Sequence, residues 1–88
     1  MIERDATIVN SLGMHARPAA QIVRLAATFN ATLELECDGQ SVNGKSIMGV
    51  MMLAAEQGAQ LRLRAEGPDA EAALEALASL IASGFGEP

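Results

Sequence analysis

Four segments of the chain alternate apolar and polar residues at every second position, which is the pattern of a β-strand with one buried face. These segments are residues 2–9, 32–37, 40–43 and 60–65. The residues expected to face the core in the first two segments are Ile2, Ala6, Ile8, Leu33, Leu35 and Cys37. Asp38-Gly39 predicts a two-residue hairpin between the second and third segments. Strands with one polar face indicate an antiparallel sheet that is covered on one side only.

Two other segments repeat apolar residues every three or four positions, and a short apolar segment follows the candidate N-cap Ser46, so we predict three helices. They run from Ala16 to about Phe29, from about Ile47 to Leu53, and from Gly67-Pro68-Asp69 to Gly84. The apolar stripes are Ala19, Ile22, Val23 and Ala26 in the first helix, and Ala73, Leu74, Leu77, Leu80 and Ile81 in the third. We expect the tail, residues 85–88, to be frayed, with Phe85 packing back. The order of strands and helices predicts a two-layer α/β sandwich.

The composition restricts the classes of protein to which this chain can belong. Its 88 residues suffice for one small domain, over residues 1–88, and its net charge of −5 argues against a nucleic-acid surface, which needs a basic face. No run approaches the roughly 20 apolar residues of a membrane span, and the charged start of the chain indicates no signal peptide. We therefore expect a cytoplasmic protein with neither a membrane nor a nucleic-acid partner.

The single cysteine, Cys37, fits a reducing compartment because it cannot form an intrachain disulfide. It lies on the apolar side of a predicted strand, so we interpret it as a small core residue, with a reactive thiol as the alternative. No group of Cys and His residues has metal-ligand spacing. We expect neither a metal site nor a cofactor.

His15 is the strongest candidate for chemistry, since it is the only histidine and lies where a loop becomes a helix. Gly13 allows a left-handed turn before it, and Pro18 suits the first turn of the helix. The free N–H groups and the dipole at a helix start favour an anion. With Arg17 two residues on, this imidazole could carry a phosphoryl group. A single histidine at a helix start is also commonly a capping or surface residue, and the spacing alone leaves that alternative open.

The second predicted helix is unusual because it has almost no polar face. So small a domain cannot bury all of this surface, and we expect Ile47, Met48 and Met51 to be exposed. Exposed apolar patches commonly mark partner surfaces, and methionine makes them adaptable. A wholly buried core helix is the alternative. Ser46 precedes the helix and is a good N-cap.

Two stretches of this sequence resemble the motifs of a known family. The first is LGMHARPAA, from Leu12 to Ala20, and the second is VNGKSIMGVM, from Val42 to Met51. They resemble the active-centre and regulatory-serine segments of the HPr family, the histidine-containing phosphocarriers of the phosphoenolpyruvate-dependent phosphotransferase system. The stretch AEGPDA, residues 65–70, is similar to that family's junction between the last strand and helix. The resemblance covers essentially the whole chain.

The resemblance implies an α+β fold, a two-layer open-faced sandwich. Its four-stranded antiparallel sheet has the strand order 1-4-2-3, with three helices on one face. Our strand count agrees with this fold, but periodicity alone does not give the strand order.

The resemblance also implies a function, that of a phosphoryl carrier rather than an enzyme. His15 would accept a phosphoryl group on Nδ1 from phosphorylated enzyme I and pass it to an enzyme IIA domain. Arg17 and the backbone amides of Ala16 and Arg17 would stabilise the phosphate. Ser46 would be a regulatory phosphorylation site for HPr kinase/phosphorylase, although a plain N-cap serine is the alternative. Ile47, Met48 and Met51 would bind partners, and the protein would be a monomer.

Some features depart from the common family pattern. Leu12 stands where members often carry Asn or Ser. Residues 12–15 and 83–85 resemble the nitrogen-related branch, whereas residues 45–49 resemble the branch controlled by the kinase. The alternatives are therefore a nitrogen-related or purely regulatory paralogue that acts by protein binding, or a small hydrolase using His15. No motif places a second titratable group beside His15, and no catalytic triad is visible.

Overall fold

The fold is known from a computed structural model, which describes residues 1–87. Its elements are β1 (Ile2–Thr7), α1 (Ala16–Ala26), β2 (Thr32–Cys37), β3 (Gln40–Asn43), α2 (Ile47–Met52), β4 (Gln60–Glu66) and α3 (Ala70–Ala82), followed by a 3₁₀ turn at Gly84–Gly86. All four predicted strands and all three predicted helices are therefore present. The bounds of β2 and β3 are those predicted.

The four strands form one antiparallel sheet in the order β1-β4-β2-β3. This is the order that the family resemblance implies, and it is confirmed. Helix α3 packs on β1 and β4, and α1 packs against both α2 and α3, so the helices form a layer on one face. The opposite face of the sheet carries ion pairs, among them Arg64 with Glu3 and Glu34 at 2.8 and 3.0 Å.

The hairpin between β2 and β3 is confirmed. Asp38 and Gly39 both have positive φ, 51° and 83°, as a tight two-residue hairpin of the primed type requires. The turn sets the register, so that Leu33, Leu35 and Cys37 all point into the core. Burial raises the pKa of the Cys37 thiol, which agrees with its interpretation as a small core residue.

The core lies between the sheet and the helices. Strands contribute alternate residues, and helices contribute one stripe each, as the periodicity predicts. Among the most deeply buried side chains are Ile8, Ile22, Leu33, Leu35, Val50, Leu61, Leu63, Leu77 and Ile81. Val23 and Leu80, which were expected in the helical stripes, are only partly buried at the edge of this core.

The ends of α1 and β1 differ most from the prediction. Helix α1 ends at Ala26 rather than near Phe29, because the amides of Thr28 and Phe29 bond three residues back, to Leu25 and Ala26, and tighten the last turn. The first strand ends at Thr7 rather than at residue 9. In that strand Ile2 lies on the core side, opposite the buried Ala65, but stays 40% exposed because it starts a strand at the edge of the sheet.

The expectation of a frayed tail is wrong for residues 85–87. Phe85 does pack back and is buried, and its carbonyl oxygen accepts a hydrogen bond from Nε2 of Gln21 at 3.2 Å. Glu87 follows with a partly buried side chain. Burial of the aromatic ring supplies the stabilisation that holds this turn. Pro88 lies outside the described residues.

Candidate functional site

His15 occupies the N-cap position of α1, with an extended backbone of φ −105° and ψ −170°. Its side chain makes no hydrogen bond to the helix amides, so the capping alternative does not apply. The imidazole is 37% exposed and is therefore within reach of an approaching molecule. Its Nε2 atom lies 2.9 Å from Oε1 of Glu87.

The start of α1 presents backbone donors beside this ring. Ala16 and Arg17 are the first two residues of the helix, where amide groups have no acceptor within the helix. Pro18 has no N–H, and the amide of Ala19 already bonds the carbonyl of His15 at 3.1 Å. The amides of Ala16 and Arg17 are therefore the ones that remain for an anion, at the positive end of the helix dipole.

Backbone hydrogen bonds hold the loop that carries His15 in place. The amide of Met14 donates to the carbonyl oxygen of Ala55 at 2.8 Å, and the amide of Gly13 donates to that of Asn10 at 3.1 Å. Gly13 has φ +68°, the left-handed conformation that its position was expected to allow. The side chain of Met14 is buried. These contacts attach the loop to the segment that follows α2.

Asn10 is a buried polar residue that sequence reasoning treated only as the start of a loop. Its side chain is almost fully enclosed, and Nδ2 donates both to the carbonyl oxygen of Gly13 at 2.8 Å and to Oε1 of Glu87 at 2.9 Å. Its Oδ1 atom has no hydrogen-bond partner among the described residues. Asn10 thus ties the loop before His15 to the end of the chain.

No motif places a second titratable group beside His15, but the fold brings the carboxylate of Glu87 there. Its side chain is 11% exposed and lies between the donors of His15 and Asn10. The hydrogen bond with His15, and then that from Asn10, holds the pKa of the Glu87 carboxyl below its usual range. The charge of Arg17 lowers this pKa further. Glu87 is therefore ionised at neutral pH.

The pairing with Glu87 determines where the proton of the ring resides. An ionised carboxylate can only accept hydrogen bonds, so Nε2 of His15 must carry the hydrogen. In the neutral ring the other nitrogen, Nδ1, then keeps its lone pair. A neutral imidazole nitrogen with a free lone pair is a good nucleophile near pH 7.

Arg17 is exposed on the first turn of α1. Its positive charge belongs to the same site, because it helps to lower the pKa of the Glu87 carboxyl. Its planar guanidinium suits the oxygens of a phosphate. Leu12, three residues before His15, is highly exposed and offers no polar group. The site therefore has an apolar side chain where members of the family that the sequence resembles often carry Asn or Ser.

The surface of α2 is exposed where the sequence predicts it. Ile47 and Met51 are each about two-fifths exposed and Met48 is 69% exposed, so a wholly buried helix is ruled out. Met52 is exposed as well, which the sequence analysis did not single out, whereas Val50 anchors the helix in the core. The N-cap prediction is confirmed, since Oγ of Ser46 accepts a hydrogen bond from the amide of Gly49 at 3.1 Å.

Across residues 1–87, His, Cys, Asp and Glu side chains form no group of three or more that could hold a metal ion. In the same part of the chain, no helix has the length and apolar character needed to cross a membrane.

Comparisons with known proteins agree on one family. A family model described as "PTS HPr component phosphorylation site" matches residues 2–83. The phosphocarrier protein HPr of Cupriavidus necator is 48% identical over 87 residues, which cover 99% of this chain and 98% of that protein. A crystal structure of HPr from Thermoanaerobacter tengcongensis superposes with a TM-score of 0.95 at 48% identity, covering 100% of this chain and 99% of the other. A crystal structure of an HPr dimer from the same organism matches with a TM-score of 0.79 at 48% identity, covering 99% and 100% of the two chains.

Proposed function

Because the chain belongs to the HPr family, the phosphocarriers of the phosphotransferase system, we propose that His15 is its phosphoryl-accepting residue. His15 takes the group on Nδ1 from phosphorylated enzyme I and passes it to an enzyme IIA domain. The observation that carries this proposal is the 2.9 Å pairing of Nε2 with Glu87, which leaves Nδ1 as the nucleophile. The exposure of the ring supports it, since two different partners must reach the same atom.

The phosphoryl group would be held by charge and by main-chain donors. After transfer, its oxygens gain the amides of Ala16 and Arg17 and the Arg17 guanidinium, which can bind two oxygens at once. These donors lie at the surface, where water competes with them. The stabilisation is therefore moderate, which suits a carrier that must release its cargo.

Partners would dock on the apolar surface of α2, formed by Ile47, Met48 and Met51. The packing of α1 against α2 supports this, because a protein that covers α2 also lies beside the helix that begins at His15. Flexible methionine side chains can adapt to partners of different shape. We propose that the working form is a monomer, although HPr from T. tengcongensis has also been crystallised as a dimer.

Ser46 is proposed as a regulatory site for HPr kinase/phosphorylase. A phosphate on Ser46 would add roughly 2 negative charges immediately before the exposed side chains of Ile47 and Met48. A partner that must desolvate this apolar surface would then bind less well. With the kinase and ATP, we expect acid-stable label that Ser46→Ala abolishes. Label that persists in this variant would refute the assignment.

The carrier function is tested by incubating the protein with enzyme I and labelled phosphoenolpyruvate. We expect acid-labile label on the wild type and none on His15→Ala. A second candidate function, regulation by protein binding alone in a paralogue of the nitrogen-related or another branch, is favoured by the exposed Met48. Absence of transfer to the wild type, together with binding to enzyme I or an enzyme IIA domain, would support that second candidate instead.

A further inference from the structure

The last described turn of the chain brings the carboxylate of Glu87 back to His15. Gly84, Phe85 and Gly86 all have positive φ, of 74°, 60° and 74°. Glycine adopts this conformation readily, whereas a residue with a side chain resists it. The strained residue, Phe85, is held by its buried ring and by the hydrogen bond from Gln21 to its carbonyl. The turn is therefore held in one conformation, and this conformation determines the position of Glu87.

The Glu87 carboxylate is held by two donors from different parts of the fold. Oε1 receives Nδ2 of Asn10 at 2.9 Å as well as Nε2 of His15 at 2.9 Å. Because Asn10 is buried and also bonds Gly13, it fixes the carboxylate relative to the loop that carries the imidazole. The proton on Nε2 thus points at the Glu87 carboxylate, whose negative charge is already held in position.

We propose that Glu87 is a positioning residue that keeps the ring proton on Nε2 throughout the transfer cycle, so that the phosphorylated ring stays protonated and its N–P bond stays reactive. This inference rests on the proposed function of His15. Glu87 does not touch the phosphoryl group. It acts only through the imidazole, from the side opposite to Nδ1.

The proton and electron balance of the cycle needs no further reactant. The Nδ1 lone pair forms a bond to phosphorus while the bond between phosphorus and the donor breaks, and the donor keeps that electron pair. The ring, which still carries the proton on Nε2, becomes a cation paired with the Glu87 carboxylate. In the second step the acceptor attacks phosphorus, the Nδ1–P pair returns to the ring, and neutral imidazole is restored. A ring that had lost its proton would be a poorer leaving group.

Two other charged residues, Arg17 and Glu56, come from segments beside this pair. Arg17 on α1 lies on the same site and favours the ionised carboxylate. Glu56 belongs to the segment that follows α2, and its Cα lies 3.0 Å from the position that a Cβ atom on Gly13 would occupy. Both groups remain in the variants described below, so that a change in pH dependence reports on Glu87.

The test compares Glu87→Ala, Glu87→Gln and the wild type, with Glu71→Gln as a control in which an exposed carboxylate on α3 is removed. The rate of transfer from phosphorylated protein to an enzyme IIA domain is measured from pH 6 to pH 8. We expect Glu87→Ala to slow transfer about tenfold at pH 8 and less than about threefold at pH 6, the size of one lost charge-assisted hydrogen bond. At pH 6 the higher proton concentration keeps the phosphorylated ring protonated even without the carboxylate. Glu87→Gln should show the same trend, and Glu71→Gln should match the wild type.

A second measurement does not depend on phosphoryl transfer. Nitrogen-15 chemical shifts of the unphosphorylated imidazole report which nitrogen carries the proton. We expect Nε2–H in the wild type and in Glu87→Gln, whose amide oxygen still accepts, and a mixture of tautomers in Glu87→Ala. Wild-type tautomer in Glu87→Ala, or a wild-type pH–rate profile in both variants, would overturn the inference while leaving the carrier function intact. A wild type that accepts no phosphoryl group would instead overturn the proposed function, and the cycle with it.

Discussion

The carbonyl oxygen of Ala55 lies 2.6 Å from the position that a Cβ atom on Gly13 would occupy. The same oxygen accepts the hydrogen bond from the amide of Met14 at 2.8 Å. Only glycine lets the backbone approach this closely, and the positive φ of 68° favours glycine as well. The position of His15, two residues later, therefore depends on the absence of a side chain at residue 13.

We predict that Gly13→Ala destabilises the protein by about 2 to 3 kcal/mol, from backbone strain together with the clash. The loop must move away from Ala55, so the rate of phosphorylation by enzyme I should fall too. Urea unfolding measures the first effect. The matched control is Gly39→Ala, since Gly39 has φ +83° and open space around it. This control should lose only about 1 to 2 kcal/mol and keep its phosphorylation rate. Equal losses in both variants would contradict the steric argument.

Arg17→Ala should reduce the rate of phosphorylation of His15 by roughly tenfold, the size of one charged hydrogen bond to the transferring group. The measurement is the initial rate with enzyme I and phosphoenolpyruvate. Arg24→Ala, which removes an exposed arginine from the last turn of the same helix, is the control and should behave as wild type. If both variants slow the reaction equally, the effect is one of net charge, and the proposed contact with phosphate is wrong.

Ser46→Asp should raise the KM for phosphorylation by enzyme I while leaving kcat nearly unchanged. The aspartate retains an acceptor for the Gly49 amide but adds a charge beside the apolar surface of α2. Ser46→Ala separates the two effects, because it removes the cap and adds no charge. We expect it to lose about 1 kcal/mol in unfolding free energy with KM unchanged. A normal KM in Ser46→Asp would argue against docking next to residue 46.

Asp69 should make stability depend on pH in the acid range. Its Oδ2 and Oδ1 accept the amides of Asn30 and Ala31 at 2.8 and 2.7 Å, and the bond from Asn30 is the main reason that the pKa of this carboxyl lies below the ordinary value of 3.8. A lowered pKa in the folded state contributes stability above the ordinary value, and this stability is lost as pH falls through the folded pKa.

The urea midpoint of the wild type should therefore fall between about pH 5 and about pH 3. Asp69→Asn should already have a lower midpoint at pH 7, and its midpoint should change less with acid. Glu71→Gln removes an exposed charge from the same end of α3 and serves as the comparison. An Asp69→Asn variant with the full acid dependence of the wild type would show that these hydrogen bonds are not its source.

The local part of the fold is predictable from the sequence because its signals are local. Alternation sets the inward face of β2, the Asp38-Gly39 pair sets its hairpin, and Ser46 marks the start of α2. The strand order is different in kind. It depends on which strands pair across long sequence separations, such as β1 with β4. Alternation does not specify this pairing. The strand order was therefore predicted only from the family resemblance.

The site was only half predictable for the same reason. His15, Arg17 and the helix start are adjacent in sequence, so one motif reveals them together. Glu87 is 72 residues away from His15, and its approach depends on three successive left-handed residues, one of them Phe85. The sequence predicts Gly84 only as the end of the last helix and a frayed tail after it, so nothing in the sequence indicated that Glu87 would return to His15. Asn10 was missed because a buried polar side chain is recognisable only once its partners are in place.

The most direct test of the carrier account is to locate the phosphorus atom. The protein, labelled with nitrogen-15 in histidine, is incubated with enzyme I and phosphoenolpyruvate, and coupling between phosphorus and nitrogen is recorded by NMR. The account predicts coupling to Nδ1 of His15, with Nε2 still bearing a proton. Phosphorus bound to Nε2, or a phosphorylated protein without any phosphorus–nitrogen coupling, would contradict it.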